Sequence, residues 1–400
     1  MLLFRSARAV DPHYYLSDLG RELEHLGQPQ RARCGSAAGA YFPTEQIDEA
    51  GLRRLLRGQP IAARQPLASP RREVAAFEIL CVAPKAVSVA ALLGSDDHAA
   101  KVVAAHHEAL DGALWYLEQH AAATGHQHEE RVGALSGVRF THGVSRSLDP
   151  HLHSHVLLAN LGRAESGRFG ALDQRGFRAH LDAASALYDA LVTARCRELG
   201  FATALSPLAQ AALSTRQAEA RQLHFAFGSK RPQLFGRDGE KLPVPRGELL
   251  AKWSRQISEV GLCLDDVTER TTHKTIPRRR LDEARFTAIL LGDDRRITRR
   301  KVVEAWAWAS DGAAAPQINA AIEVFVKTPR SRFEVQLREA DVITSDAVRR
   351  VLGNRPLEPQ GLERWLHASK RLERTAPQGH RDRDENRARV PRSESQGWSR

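Results

Sequence analysis

Phe140-Thr141-His142-Gly143-Val144-Ser145-Arg146-Ser147-Leu148-Asp149-Pro150-His151-Leu152-His153-Ser154-His155-Val156 is the stretch on which the fold turns. Side chains alternate along a strand, so His153 and His155 point to one face. A polar turn across 145–150 would let a strand near 135–142 pair antiparallel with one near 153–160, bringing His142 to the same place. His151 joins that face only if the second strand starts early, and the restriction around Pro150 works against this. Three neutral imidazoles from adjacent strands make a borderline metal site with positions left for phosphate oxygens. With no carboxylate among the ligands the site stays positive, which suits a phosphodiester whose oxygens gain charge in the transition state. A lone His-x-His is more often incidental. His142, an arginine and the Asp-Pro turn move the reading toward a metal. Manganese, magnesium and zinc are not separated by this donor set. Arg146 either contacts phosphate or pairs with Asp149, and Asp149 reads as a turn residue or as one that orients a ligand imidazole.

Upstream, 74–82 reads as a strand with Phe77, Ile79 and Cys81 on one side and Glu78 and Leu80 on the other. A long helix capped by Asp96 or Asp97 should run to about Ala122, and another should cover 178–199. Residues 1–72 read as an irregular polar segment with two helices. The first, over 12–26, carries Tyr14 and Tyr15; the second, over 45–56, stops at Gly58. The loose Gly-Ser-Ala-Ala-Gly at 35–39 has no Lys-Ser/Thr after it and is no phosphate loop. Glycines and prolines between 226 and 247 mark a boundary, followed by helices near 246–260, 281–291 and 299–310. The expected division is 1–240 for the domain that carries the histidines, 241–370 for a mainly helical accessory region and 371–400 for a disordered charged tail.

The chain has 400 residues, with 59 Lys and Arg against 48 Asp and Glu, a formal charge of +11. That excess favours a polyanionic partner, although it would also suit an anionic membrane surface. No apolar run is long enough to cross a bilayer, and the N-terminus turns polar without a secretory leader. Cys34, Cys81, Cys196 and Cys263 are too scattered for a metal knuckle, so reduced cysteines and a cytoplasmic location are expected.

The histidine stretch resembles the three-histidine signature of conjugative relaxases of the TrwC/TraI (MobF) type. His142, Ser145-Arg146, Asp149-Pro150, Leu152-His153, His155 and Asn160 match that pattern in order. The resemblance implies the HUH-nuclease fold, an α+β fold with a central antiparallel sheet flanked by helices, here followed by a mainly helical C-terminal region. It assigns the metal to His142, His153 and His155, and the nucleophile to Tyr14, the first of a tyrosine pair, with Tyr15 as its understudy. Glu78, in Phe77-Glu-Ile-Leu-Cys-Val-Ala-Pro-Lys, stands where the family carries an aspartate.

Three departures accompany the match. There is no second tyrosine pair between Tyr15 and Tyr41, no tryptophan before the glycine-rich segment, and no Gly-x-x-x-x-Gly-Lys-Ser/Thr loop. The expectation is therefore a nuclease domain without the helicase part.

What the resemblance implies is metal-dependent nicking of one strand at a plasmid origin of transfer. Tyr14 would attack the scissile phosphate and keep the 5′ end as a phosphotyrosine, with Glu78 accepting or orienting a proton. Partners would be single-stranded origin DNA, accessory proteins and a type IV coupling protein. Lys85 either contacts the DNA backbone or stays solvated. Arg295, Arg296, Arg299, Arg300 and Lys301 form a better phosphate-contact cluster, partly offset by Asp293 and Asp294. Three alternatives stay open: an inactive relative that only binds origin DNA, an HUH-type replication initiator or transposase, and a metal-stabilised structural protein.

Overall fold

In the computed structural model, the residues described are 2–7, 10, 12–17, 21–27, 29–69, 72–125, 130–145, 147–201, 244–259, 296–297, 299–309 and 343–344. Five strands form one antiparallel sheet: β1 (Leu2–Ala7), β2 (Arg31–Cys34), β3 (Ala76–Val82), β4 (Gly137–Val144) and β5 (Pro150–Ala159), in the spatial order β1-β3-β5-β4-β2. The histidine-bearing β5 is the central strand. Its neighbours are β3, which carries Glu78, and β4, which carries His142.

Alternation decides what each face of the sheet does. Phe77, Ile79, Cys81, Val156 and Leu158 turn to one side and are buried there, with α3 (Lys85–Leu93), α4 (Asp96–His120) and α5 (Gln174–Glu198) completing that core. Phe4 of β1 stacks on Phe177 of α5 at 5.8 Å and meets Phe77 at 5.2 Å, which anchors the edge strand to the helical layer. On the other face, Tyr15, Tyr41, Phe42, Leu52, Leu55, Val138, Phe140 and Leu157 form a second, smaller cluster. Leu52 and Leu55 come from α2 (Glu49–Arg57), which is capped at its start by the Asp48 carboxylate accepting from Gly51 N. It ends at Gly58, whose left-handed φ of 64° suits glycine. This cluster covers the end of the face where Leu157 lies. The histidines occupy the beginning of β5.

The N-terminal segment is not the irregular stretch expected: it supplies both edge strands, β1 and β2. Both are short: the apolar residues of β1 come mostly in one run, and the Arg-Ala-Arg-Cys alternation of β2 spans only four residues, so their pairing depends on long-range contacts. The single helix expected over 12–26 is divided into α1 (Pro12–Ser17) and a 3₁₀ turn at Arg21–Leu26. The long helix α4 takes Ser95 as its N-cap, with Asp96 and Asp97 inside the first turn, where negative charge suits the helix dipole. The expected helix over 281–291 and the 371–400 tail lie outside the described residues.

Two helices from the expected accessory region pack into the main core. Leu249, Trp253 and Ile257 of α6 (Arg246–Glu259) are buried there, as are Val302, Val303, Trp306 and Trp308 of α7 (Arg299–Ala309). Among the described residues no helix is long and apolar enough to cross a membrane. Cys34, Cys81 and Cys196 are free thiols, each pushed up to about 12 by burial and therefore poor nucleophiles; Cys263 lies outside the described residues.

Candidate active site

His142 and His153 sit directly opposite each other across β4 and β5, and His155 lies opposite Phe140 one step along. The three rings enclose one space: their centroids are 5.2 Å apart for His142–His153 and 5.3 Å for each of the other two pairs. His151 joins them at 4.8 Å from His153, because β5 begins at Pro150 and so includes it. A register shift between His142 and Val144 marks the point where β4 bends away into the turn.

The second nitrogen of two of these rings is held. His153 Nδ1 donates to the His151 carbonyl at 2.6 Å, and His155 Nδ1 donates to Glu78 Oε1 at 2.5 Å. In both rings that leaves Nε2 as the lone-pair nitrogen. Burial, reinforced by the neighbouring imidazoles, holds His153 well below the usual histidine range, so it stays neutral. Among the described residues no three such side chains converge on a single ligation point. The donor set nevertheless fits a borderline divalent ion, and the broad χ2 torsion of histidine lets the rings turn onto one without moving the backbone.

Glu78 lies on β3 with its side chain on the histidine face and is 1% exposed. Its Oε2 accepts from Arg5 Nε, and the two residues face each other in the β1–β3 register. Burial opposes ionisation of Glu78, but the hydrogen bonds and charges of His155 and Arg5 outweigh it and hold the carboxyl below its ordinary range. Arg5 gave no signal in the sequence, because the strand that carries it was not legible there.

Tyr15 is buried against Phe140, with centroids 5.3 Å apart, and meets the His155 ring edge-on at 6.2 Å. Tyr14 lies on α1, but its side chain is outside the described residues. So is all of Arg146.

Asp149 is tied into the turn: Ser145 N donates to its carbonyl at 3.0 Å, and Lys252 Nζ lies 3.4 Å from its carboxylate. Lys252 also donates to the carbonyls of Ser147 and Leu148, and Trp253 Nε1 donates to Leu148 O at 2.8 Å. Helix α6 thereby clamps the turn between the two histidine-bearing strands, in which Leu148 has a left-handed φ of 58°. Lys85 is part-buried and donates to Pro150 O at 2.9 Å, at the start of β5. Of the basic cluster, Arg295 and the side chains of Arg296 and Arg299 lie outside the described residues. Arg300 and Lys301 are on α7, which packs on α5, on the side of the sheet away from the histidines; Lys301 pairs with Glu304.

A further polar chain crosses the core directly behind the site. His106 of α4 bonds to Tyr188 OH at 2.7 Å and to Ser154 Oγ at 2.8 Å. Ser154 bonds to Thr141 at 2.9 Å, and Thr141 bonds to His107 at 3.0 Å. Ser154 and Thr141 each adjoin a ligand-candidate histidine in sequence. Nothing local in the sequence pointed to His106 or His107.

The multifunctional conjugation protein TraI of Escherichia coli is 30% identical over 155 residues, covering 38% of this chain and 8% of that protein's length. The conjugative relaxase TrwC, solved with oriT DNA in a metal-bound form, superimposes with a TM-score of 0.52 at 22% identity, over 66% of this chain and all of that one. A copper-bound TrwC–oriT structure gives 0.52 at 21% identity, over the same share of this chain and again all of that one. The TrwC relaxase family profile matches residues 4–233, more than half of the 400. With its sheet order, its paired histidine strands and this match, the chain belongs to the TrwC relaxase family.

Proposed function

We propose that this chain nicks one strand of DNA at an origin of transfer and holds the cut end covalently. The observation that carries the reading is the cluster of His142, His153 and His155 on adjacent strands, with Glu78 orienting His155. These three imidazoles would hold a divalent ion, which supplies charge withdrawal from the non-bridging oxygens of the scissile phosphate. Support also comes from the solved TrwC relaxases, which were determined with oriT DNA and, in some cases, with bound metal.

The chemistry assigned to the chain's own residues is brief. Tyr14 Oη gives up its proton to solvent and forms a bond to phosphorus while the phosphorus–O3′ bond breaks, and the departing 3′ oxygen takes up a proton in turn, so the proton count balances. The product is a 5′-phosphotyrosine and a free 3′-hydroxyl, which preserves a phosphodiester for later rejoining. Tyr15 is committed to the wall of the site against Phe140. Both Glu78 oxygens are hydrogen-bonded and the carboxyl is held below its ordinary range, a weak base, so its part is to orient His155 and not to collect the tyrosine proton. Accessory proteins and a type IV coupling protein complete the proposed setting.

One observation favours a second reading, a relative that binds origin DNA without cutting it: His155 and Arg5 hold the Glu78 carboxyl below its ordinary range, which makes it a weaker base. One experiment separates the two. The chain is incubated with labelled single-stranded origin oligonucleotides and manganese, magnesium or zinc, with a chelator control, and resolved on a denaturing gel. A protein-linked band that disappears with the chelator supports the enzyme. Retarded DNA in a native gel without any such band supports the binder.

A further inference from the structure

We propose that Arg5 is a positioning residue for the metal site, making a glutamate serviceable at position 78; this rests on the metal reading above. A glutamate arm is one methylene longer than an aspartate arm and has one more torsion to fix. A carboxylate that must hold an imidazole in one orientation therefore needs a second anchor. Arg5 supplies it. The two residues are 73 positions apart in sequence, yet stand opposite each other in the β1–β3 register and on the same face.

Arg5 Nε holds Glu78 Oε2, and Glu78 Oε1 holds His155 Nδ1 at 2.5 Å. With both oxygens tethered the carboxylate plane is set, and His155 is kept in the tautomer that presents Nε2 to an ion. The Tyr15 ring lies edge-on to His155, and its hydroxyl is within electrostatic reach of the same guanidinium. Through the carboxylate, one side chain on the edge strand thereby reaches the imidazole on the central strand.

The charge matters as well. A buried carboxylate at the floor of the site would repel the phosphate that the site must receive. The paired arginine cancels that charge at close range, where the protein interior screens it least. Arg5 is 46% exposed, so solvation of its outer half lowers the desolvation cost of keeping this pair charged.

The test uses the full chain as wild type, Arg5→Met, Arg5→Lys, Glu78→Gln and the Arg5→Met/Glu78→Gln double variant. Each is titrated with cobalt(II), whose visible spectrum reports imidazole ligation, and melted without metal. Glu78→Gln should weaken binding about tenfold or more, and Arg5→Met about threefold to tenfold. Arg5→Lys, which keeps the charge but loses the planar fork, should recover part of the loss. The double variant should bind no more weakly than Glu78→Gln alone, because Arg5 acts through Glu78.

Unchanged affinity and spectrum in Arg5→Met overturn the proposal, and so does an equal further loss in the Glu78→Gln background. If Arg5→Met does not fold, Arg5→Lys carries the test: an altered spectrum with an unaltered melt supports the role, and an unaltered spectrum overturns it. A variant lacking all three imidazoles, His142→Ala/His153→Ala/His155→Ala, separates the two failures. If it binds cobalt as wild type does, the metal reading itself falls. If it does not, and Arg5→Met binds normally, only the role of Arg5 falls.

Discussion

His106 Nε2 lies 2.8 Å from Ser154 Oγ, on the opposite side of β5 from the two histidines that flank Ser154 in sequence. Burial holds His106 down to about 3, and burial with the charge of Arg139 holds His107 down to about 2. Both are neutral in the folded chain and take up protons near pH 6.5 once unfolded. The unfolded state therefore binds more protons below that pH. The stability tied to this pair is fully present above pH 6.5 and is lost as pH falls toward the folded values. The expected slope is about 1.4 kcal/mol per pH unit for each histidine. Urea midpoints at pH 7.5 and 5 measure it, and His106→Gln should reduce the difference between them; an equal difference in that variant would remove His106 as a source.

Tyr14→Phe removes one oxygen and keeps the ring, so DNA affinity should survive while the covalent adduct disappears. Tyr15→Phe should still form the adduct, because its ring against Phe140 and His155 is kept. A denaturing gel with labelled oligonucleotide decides between them. An adduct from Tyr14→Phe at the wild-type level would transfer the nucleophile's role to Tyr15.

Trp253 is 1% exposed and reaches across 105 residues to hold the carbonyl of Leu148. Trp253→Phe keeps an aromatic ring but deletes the donor, leaving that carbonyl to Lys252 alone. A loss of about 1 kcal/mol is expected, or roughly 2–4 °C in melting temperature. Metal affinity should fall with it, because the clamped turn sets the spacing of His142 and His153. A melt that shifts while cobalt affinity holds would confine α6 to a packing role.

A charge of +11 predicts steep salt dependence for binding single-stranded DNA. With about three phosphates contacted, affinity should drop about tenfold or more between about 50 and 200 mM salt. Fluorescence anisotropy with a labelled origin strand gives the slope, and a flat plot would argue against phosphate contacts as the main source of affinity.

Much of the site was legible before any coordinates. The alternation of His153 and His155, the turn that returns His142 to them, and the split of Phe77 and Ile79 from Glu78 are local periodicities, and a period of two is written directly into residue order. Such a pattern states which way a side chain points, but not which strand lies beside it. Arg5 against Glu78, His106 against Ser154 and Trp253 against Leu148 are separated by 73, 48 and 105 residues, and each pairing exists only once the sheet order and helix packing are set. The edge strands were hidden for the same reason. β1 and β2 are held by their partners' backbone groups and by Phe4 on Phe177, and strands of six and four residues are too short for local pattern alone to reveal those partners. Sequence alone determined the chemistry that the site can hold. The register between β1 and β3 decided how its carboxylate is restrained, because cross-strand contact depends on long-range pairing.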